Sequence, residues 1–358
     1  MTYFNPKRLD LALRRRRMTA RQLSEETGIT NVSLSRIKQG KQGPESETVD
    51  LIAKALKYPK SFFYGGDIDK IQGTYVSFRS LAAVTQREQH AALAAGSIGF
   101  MIFDWVEKRY DLPEPDLIDF GQERDPSVAA RVLRQHWSLG ERPVSNMVRL
   151  LESKGVRILS LNENTKNIDA YSCWRDGTPY VFLNNFKTAE RSRFDAAHEL
   201  GHLVLHKHGG ASQGKEAENE ANSFASSFLV PKADLLANTR NLRTLNEVIE
   251  KKRRWGVSAA ALIYRAHKLG LITEWQNRTL NIQLRSTYKS SEPNPMSKET
   301  SVIWSQILKD LWRQGATRER IARDLGFPSD EIESLLYGLA ETENVMAPVQ
   351  NGPKLRLV

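Results

Sequence analysis

Apolar residues recur every three or four positions between Leu9 and Leu56, the period of amphipathic helices, with short turns at Arg17-Met18, at Gly28 and at residues 40–43. This pattern predicts a compact bundle of five short helices. Tyr58-Pro59 interrupts the last of them, and Gly65-Gly66 followed by Asp67 marks the exit. Residues 77–139 are again helical in pattern, broken at Pro113 and Pro115. The period then changes. A helix over residues 144–153 stops at Gly155, and β-type runs follow at residues 156–161 and 180–183, the second after the turn Asp176-Gly177. Two or three strands therefore precede a helix starting near Ala189. Helices continue to Leu269, with Gly270 as the stop, and further helices are expected over residues 302–314, 318–325 and 329–339.

The fold class expected is predominantly α (α+β), with a small sheet covering one edge of the helix that begins near Ala189. The boundaries expected are a helical domain over residues 1–66, a helical connector over 67–128, a central domain over 129–285, a linker rich in Ser and Pro over 286–297, a helical unit over 298–343 and a disordered tail over 344–358. At 358 residues the chain is long enough to bury two or three cores.

Lys and Arg outnumber Asp and Glu by 52 to 42, a formal net charge of +10. Much of the excess lies in the first forty residues and the last third, which favours nucleic acid or an acidic partner. The single cysteine, Cys173, excludes an internal disulfide and any Cys-rich zinc module, as in a reducing cytoplasm. It is expected to be a packing residue. The charged N-terminus lacks a signal-peptide core. Residues 91–106, the longest apolar-leaning run, contain Ser97 and Asp104 and fall short of the ~20 residues of a membrane helix. A buried helix, no membrane partner and a cytoplasmic location are therefore expected.

The chemistry concentrates in the segment AERSRFDAAHELGHLVL, residues 189–205. On a helix, His198 and His202 are one turn apart and can direct imidazole nitrogens at one metal ion, while Glu199 can reach a water beside it. Two neutral nitrogen ligands, an open position and a carboxylate to take a proton are what a zinc hydrolase needs. The apolar residues Phe194, Ala197, Leu203 and Val204 would bury this helix, and buried imidazoles need partners. A third ligand has several candidates. His208 stands six residues after His202, but Leu205 occupies the place where that arrangement needs a glycine. His206 shares the helical face yet lies ~12 Å along the axis from His198 by the helical rise, and is expected at the helix end or surface. In the next helix, EAENEANSFASSFL, Glu218 borders the apolar stripe of Ala217, Ala221, Phe224, Ala225 and Phe228, one turn before Asn222. Glu218 can ligate while Asn222 holds a ligating histidine by hydrogen bond. Glu216 and Glu220 read as solvated charges. Tyr171 and Arg193 are the candidates for stabilising an oxyanion, with Tyr171 equally placed to be packing.

These residues together resemble the ImmA/IrrE-type metallopeptidases. The resemblance rests on Val181-Phe182-Leu183-Asn184, on Arg193-Phe194 leading into His198–His202, on Glu218, Ala221, Asn222, Phe224 and Ala225, and on Leu229-Val230-Pro231, where the family usually has Leu-Met-Pro. It extends from about Ala129 to Arg285, through Trp137, Pro143, Gly155 and Trp255. It implies Zn2+ as cofactor, His198, His202 and Glu218 as its ligands, Glu199 as the general base, and a repressor-type regulatory protein as the substrate, in stress response or mobile-element control.

Near the N-terminus, residues 20–27, Gly28-Ile29 and residues 30–39 have the proportions of a helix-turn-helix, with Thr30 as N-cap and Gly40 as stop. Leu23, Ile29, Leu34 and Ile37 form its inner face. Asn31, Val32, Ser33 and Arg36 then face outward, where Asn and Arg can read adenine and guanine edges of double-stranded DNA. Arg14, Arg15, Arg16, Arg17, Lys38 and Lys41 are available for phosphates. The segment resembles the lambda-repressor/Cro-like (XRE) family through Thr19, Leu23, Gly28, Ser35 and Gly40, and departs from it at Ala20 and Lys38. A homodimer is compatible with this class. Residues 318–336 look loosely like a second helix-turn-helix, with a helical docking or dimerisation unit as the other reading. The rival to a peptidase is a DNA-binding regulator or antitoxin-like protein whose peptidase-like domain acts as a sensor.

Overall fold

The computed structural model describes residues 3–71, 85–121, 123, 125–161, 170–207, 214–239, 242–340 and 356–357. The N-terminal bundle comprises α1 (Pro6–Arg15), α2 (Ala20–Thr27), α3 (Asn31–Lys38), α4 (Ser46–Leu56) and a closing 3-10 helix (Lys60–Tyr64). Each early helix starts on a capping side chain: Asn5, Thr19 and Thr30 accept from the backbone N–H groups of Lys7, Gln22 and Ser33. Gly28, at φ 74°, makes the left-handed turn between α2 and α3. Leu9, Leu23, Leu34, Ile37, Val49 and Ile52 close the core beneath.

The remaining elements are α5 (Gln86–Glu107), β1 (Tyr110–Asp111), α6 (Pro126–His136), α7 (Met147–Ser153), β2 (Arg157–Ser160), β3 (Ala170–Arg175), β4 (Thr178–Leu183), α8 (Ala189–Leu205), α9 (Lys215–Leu229) and α10 (Lys232–Asn238). They continue with α11 (Leu245–Trp255), α12 (Ala259–Lys268), α13 (Glu274–Tyr288), α14 (Val302–Arg313), α15 (Arg318–Leu325), α16 (Ser329–Leu336) and β5 (Arg356–Leu357). The fold is predominantly α with a small sheet, as the periodicities predict. The three-stranded sheet runs β2-β4-β3, with β2 parallel and β3 antiparallel to β4. The last residues of the tail expected to be disordered include β5, which pairs antiparallel with β1, and residues 341–355 lie outside the described residues.

The two faces of the sheet have different tasks. Tyr171, Cys173, Tyr180 and Phe182 point at α5: the Tyr171 hydroxyl donates to the Ala92 carbonyl (2.8 Å), and Phe100 and Phe103 pack on Tyr180. Gly96 and Gly99 let this helix lie directly on the strands, because a Cβ at either would collide with Tyr171, Leu159 or Phe182. Burial pushes the Cys173 thiol up to about 12, as suits a packing residue. Ser172 and Trp174 point the other way, onto α8. Among the described residues no helix is long and apolar enough to cross a membrane, and α5, which contains the longest apolar-leaning run, is the buried helix expected.

The C-terminal helices are not a free appendage. Glu331 on α16 is fully buried and accepts from Arg15 Nε (2.6 Å) and from the Tyr58 hydroxyl (3.0 Å), while Arg16 Nη1 pairs with Asp330 (3.0 Å). The arginine run expected at phosphates is thus partly spent on docking α16, because two acidic residues at that helix's start meet it at close range. Lys38 is likewise engaged, pairing with Asp10 of α1 (3.1 Å). One face of α16 is thus turned to the N-terminal bundle. At its far end Tyr337 stacks on Phe186 and its carbonyl accepts from Asn185 Nδ2 (3.0 Å). The Ser- and Pro-rich segment after α13 is also pinned, Glu292 to Lys252 (3.0 Å) and the Met296 amide to Glu190 (2.9 Å).

Glu152 of α7 caps α14: it accepts from the Val302 amide (2.9 Å) and from the Ser301 hydroxyl. Burial outweighs these bonds and pushes its carboxyl up to about 7 from an ordinary 4.5. The folded state therefore holds the proton more tightly than the unfolded chain. Its contribution to stability is present below pH 4.5 and lost as the pH rises through about 7. Urea unfolding across this window should show a falling midpoint in the wild type and a flatter profile in Glu152→Gln.

Candidate metal centre

Thr188 caps α8, and the helix then runs buried for most of its length. His198 and His202, one turn apart, present their Nε2 atoms to each other at 3.0 Å. The neighbouring α9 brings Glu218 alongside, Oε2 at 3.3 Å from His198 Nε2 and Oε1 at 3.4 Å from His202 Nε2. Ligand atoms from all three lie within 4.8 Å of one another, a group that could hold a metal ion. Gly201 permits the approach: a Cβ there would stand 3.2 Å from Ala221 Cα and 3.2 Å from the Phe224 ring.

Around this group the outer contacts are specific. Asn222 Oδ1 lies 3.2 Å from His198 Nδ1. His206 stands at the helix end, as expected, where it is the C-cap of α8 and half-buried. Its Nδ1 is 3.0 Å from His202 Nδ1 and its Nε2 is 2.8 Å from Glu220 Oε2. Although too far from His198 to share a ligand site with it, one more helical turn puts His206 against the back of His202. Glu220, expected to be solvated, is its anchor. Burial lowers the His206 imidazole below its ordinary value, outweighing the Glu220 carboxylate, so the neutral ring is favoured. With Nε2 of His202 turned to a metal, its Nδ1–H donates to His206, whose Nε2–H donates to Glu220.

Glu199 points to the sheet side, where Ser172 Oγ donates to its Oε2 (2.7 Å). Ser172 escaped the sequence reading; its signal is a lone hydroxyl on the α8-facing side of an apolar strand. Neither oxyanion candidate serves. Tyr171 lies on the opposite face of the sheet, its hydroxyl on Ala92, and the Arg193 guanidinium is committed to Glu299 and the Val144 carbonyl. His208 lies outside the described residues. On α3, Asn31, Val32 and Arg36 are exposed and Ser33 is half-buried, while Leu34 and Ile37 are turned inward and Ile29 packs on the core.

A helix bearing paired histidines, a glutamate supplied by the next helix and an attached helix-turn-helix define a metallopeptidase-type domain joined to a DNA-binding one. Comparison with family models agrees. Residues 151–267 match a peptidase family model, the IrrE N-terminal-like domain, and residues 11–63 match a helix-turn-helix model. The two matched segments are thus similar to the ImmA/IrrE type of peptidase domain and to an XRE-type helix-turn-helix. No curated protein matches it.

If Glu220 and His206 orient His202, Glu220→Ala and His206→Phe should each weaken metal affinity by about 10–100-fold. Cobalt titration of the stripped protein against a competing chelator measures this. Glu220→Gln, which keeps an acceptor, should fall between the wild type and Glu220→Ala.

Proposed function

We propose that the chain is a zinc-dependent endopeptidase that cuts a helix-turn-helix repressor-type protein in stress response or mobile-element and defence control. The carrying observation is the convergence of His198, His202 and Glu218, beside a glutamate held by Ser172. Tetrahedral zinc with bonds of about 2.0–2.1 Å sets its ligand atoms about 3.3 Å apart. The separations of 3.0, 3.3 and 3.4 Å fit that spacing. Two nitrogens and one carboxylate oxygen are also the donor set of catalytic zinc sites, which keep one position open. Zinc, when bound, supplies Lewis acidity towards water and the peptide carbonyl.

In this reading Glu199 takes the proton of the attacking water and delivers it to the leaving amine, with Ser172 fixing the carboxylate. Asn222 and His206 hold the two histidines in the tautomer that leaves Nε2 free for the metal. The N-terminal domain binds double-stranded DNA through Asn31, Val32, Ser33 and Arg36, as a monomer or homodimer. DNA and the single cysteine both support a cytoplasmic location. A peptidase held beside a DNA-bound substrate sees it at roughly millimolar effective concentration, so weak intrinsic affinity is compatible with selectivity. The docking of Arg15 and Arg16 on Glu331 and Asp330 favours a second reading, a regulator in which the peptidase-like domain is a sensor, since it joins the DNA-binding helices to the rest of the chain.

Purified wild type should carry stoichiometric zinc and Glu218→Ala should lose most of it; full metal retention in that variant removes the assigned ligand. Glu199→Gln keeps all three ligands and should retain zinc but not cleavage, so cells carrying it should accumulate the uncut partner. A normal inducible response with Glu199→Gln favours the regulator. Arg36→Ala and Asn31→Ala should each weaken operator binding by about 1–3 kcal/mol, with steep salt dependence. Equal affinity for operator and random DNA would contradict base reading.

A further inference from the structure

A cleft of about 1350 Å³ opens between α8, α9 and α12 beside Asn222. A hollow of about 520 Å³ continues it toward α6 and α10, and Ser127, Arg265 and Leu269 line both. The larger part alone exceeds the roughly 300–1,000 Å³ of small-ligand pockets, so the groove suits an extended chain.

Arg265 stands at the junction. It is 8% exposed, and its described hydrogen bond runs from Nε to the Val230 carbonyl (3.1 Å). No carboxylate pairs with it among the described residues, and burial draws its guanidinium below the ordinary value. Other buried arginines are satisfied differently: Arg134 donates to the carbonyls of Gly140, Phe228 and Arg142, and Arg157 pairs with Glu107. A buried cation is costly unless carbonyls or an anion complete it, and Arg265, with one carbonyl at Nε, leaves its terminal nitrogens for an anion. Arg191 and Lys268 add positive charge at the exposed rim, Arg191 3.3 Å from Asp195. The acidic groups lining the cleft, Glu190 and Glu292, share one cation, Lys252 (2.9 and 3.0 Å), so they offset part of this positive charge and leave the remainder at Arg265 and Lys268. Phe186 and Tyr264 expose about half of their surfaces there, 52% and 50%. Along the wall, α9 presents Asn219, Asn222, Ser223 and Ser226, the i, i+3, i+4, i+7 face, able to bond peptide amides.

We propose that this groove holds an extended acidic segment of the polypeptide substrate. One carboxylate of the segment meets Arg265, further acidic side chains meet Lys268 and Arg191, and apolar ones rest on Phe186 and Tyr264. Calling the segment part of a substrate rests on the peptidase reading, but its binding is measured without cleavage.

The test is fluorescence anisotropy with the full-length, zinc-loaded protein. The probes are a fluorescein-labelled decapeptide of alternating glutamate and leucine and its lysine counterpart. The acidic peptide should bind, increasingly weakly with salt, and the lysine peptide should not. Arg265→Gln should weaken the acidic peptide by about tenfold or more, as loss of a desolvated charge pair does. If circular dichroism shows that this variant does not fold, the exposed pair Arg191→Glu with Lys268→Glu decides, with the same loss expected. Glu199→Gln and metal-stripped protein should bind the peptide as wild type does, so a failed peptidase assay leaves this result standing. Equal binding of both peptides, no binding of either, or an unchanged Kd in folded Arg265→Gln or in the double variant would overturn the proposal. So would displacement of the peptide by free glutamate at matched carboxylate concentration, which would mark a site for a lone carboxylate.

Discussion

The candidate centre depends on how closely α9 can approach α8. At Gly201 the two helices come within the space that a single methyl group would fill, against Ala221 Cα and the Phe224 ring. That approach lets a short carboxylate side chain on α9 reach the imidazoles on α8. A wider spacing would leave Glu218 out of reach of His198 Nε2 and His202 Nε2, since ligand distances tolerate only fractions of an ångström. Apolar packing supplies the force, through Ala221, Phe224 and Phe228, all buried on the face of α9 that meets the centre of the domain.

The other face of α8 is fixed by the sheet. Trp174 Nε1 donates to the Leu203 carbonyl and Ser172 holds Glu199, so α8 is gripped between β3 and α9. Gly96 and Gly99 in turn seat the sheet on α5. The histidines therefore sit on a rigid element whose neighbours also orient their second nitrogens, Asn222 for His198 and His206 with Glu220 for His202.

A second set of contacts joins the helix-turn-helix bundle to this domain. Arg15, Arg16 and Tyr58 grip the start of α16, while its far end meets Asn185 and Phe186, the residues that lead from β4 into α8. One short helix thus touches both the helix-turn-helix bundle and the approach to the candidate metal centre. The physical basis is a buried carboxylate, Glu331, which is tolerable only because cations and a hydroxyl surround it.

Local regularities made the helices, the small sheet, the paired histidines and the helix-turn-helix legible, because each follows from spacing along one element. His198 and His202 share a face at any helical i, i+4 interval, and Thr30 and Gly28 announce the second half of the turn. Glu218 and Asn222 were legible as well, since their place beside an apolar stripe limits which way they face. Contacts between elements distant in sequence were not legible. Nothing in the arginine run specifies Glu331, more than three hundred residues away, so free phosphate contacts were expected where docking occurs. Glu220 looked solvated, and the contact of the helix-end His206 with it went unseen, because a single helix does not reveal what covers it. Tyr171 and Ser172 are adjacent, yet only the pairing of β3 with β4 decides which faces α5 and which faces Glu199. The sequence by itself determined which residue types are offered for chemistry and the helix that carries them, because residue type and local period suffice for both. Tertiary structure decided which charges are paired, which ring nitrogens are supported and how each buried arginine among the described residues is satisfied, because these depend on distances set by packing between elements.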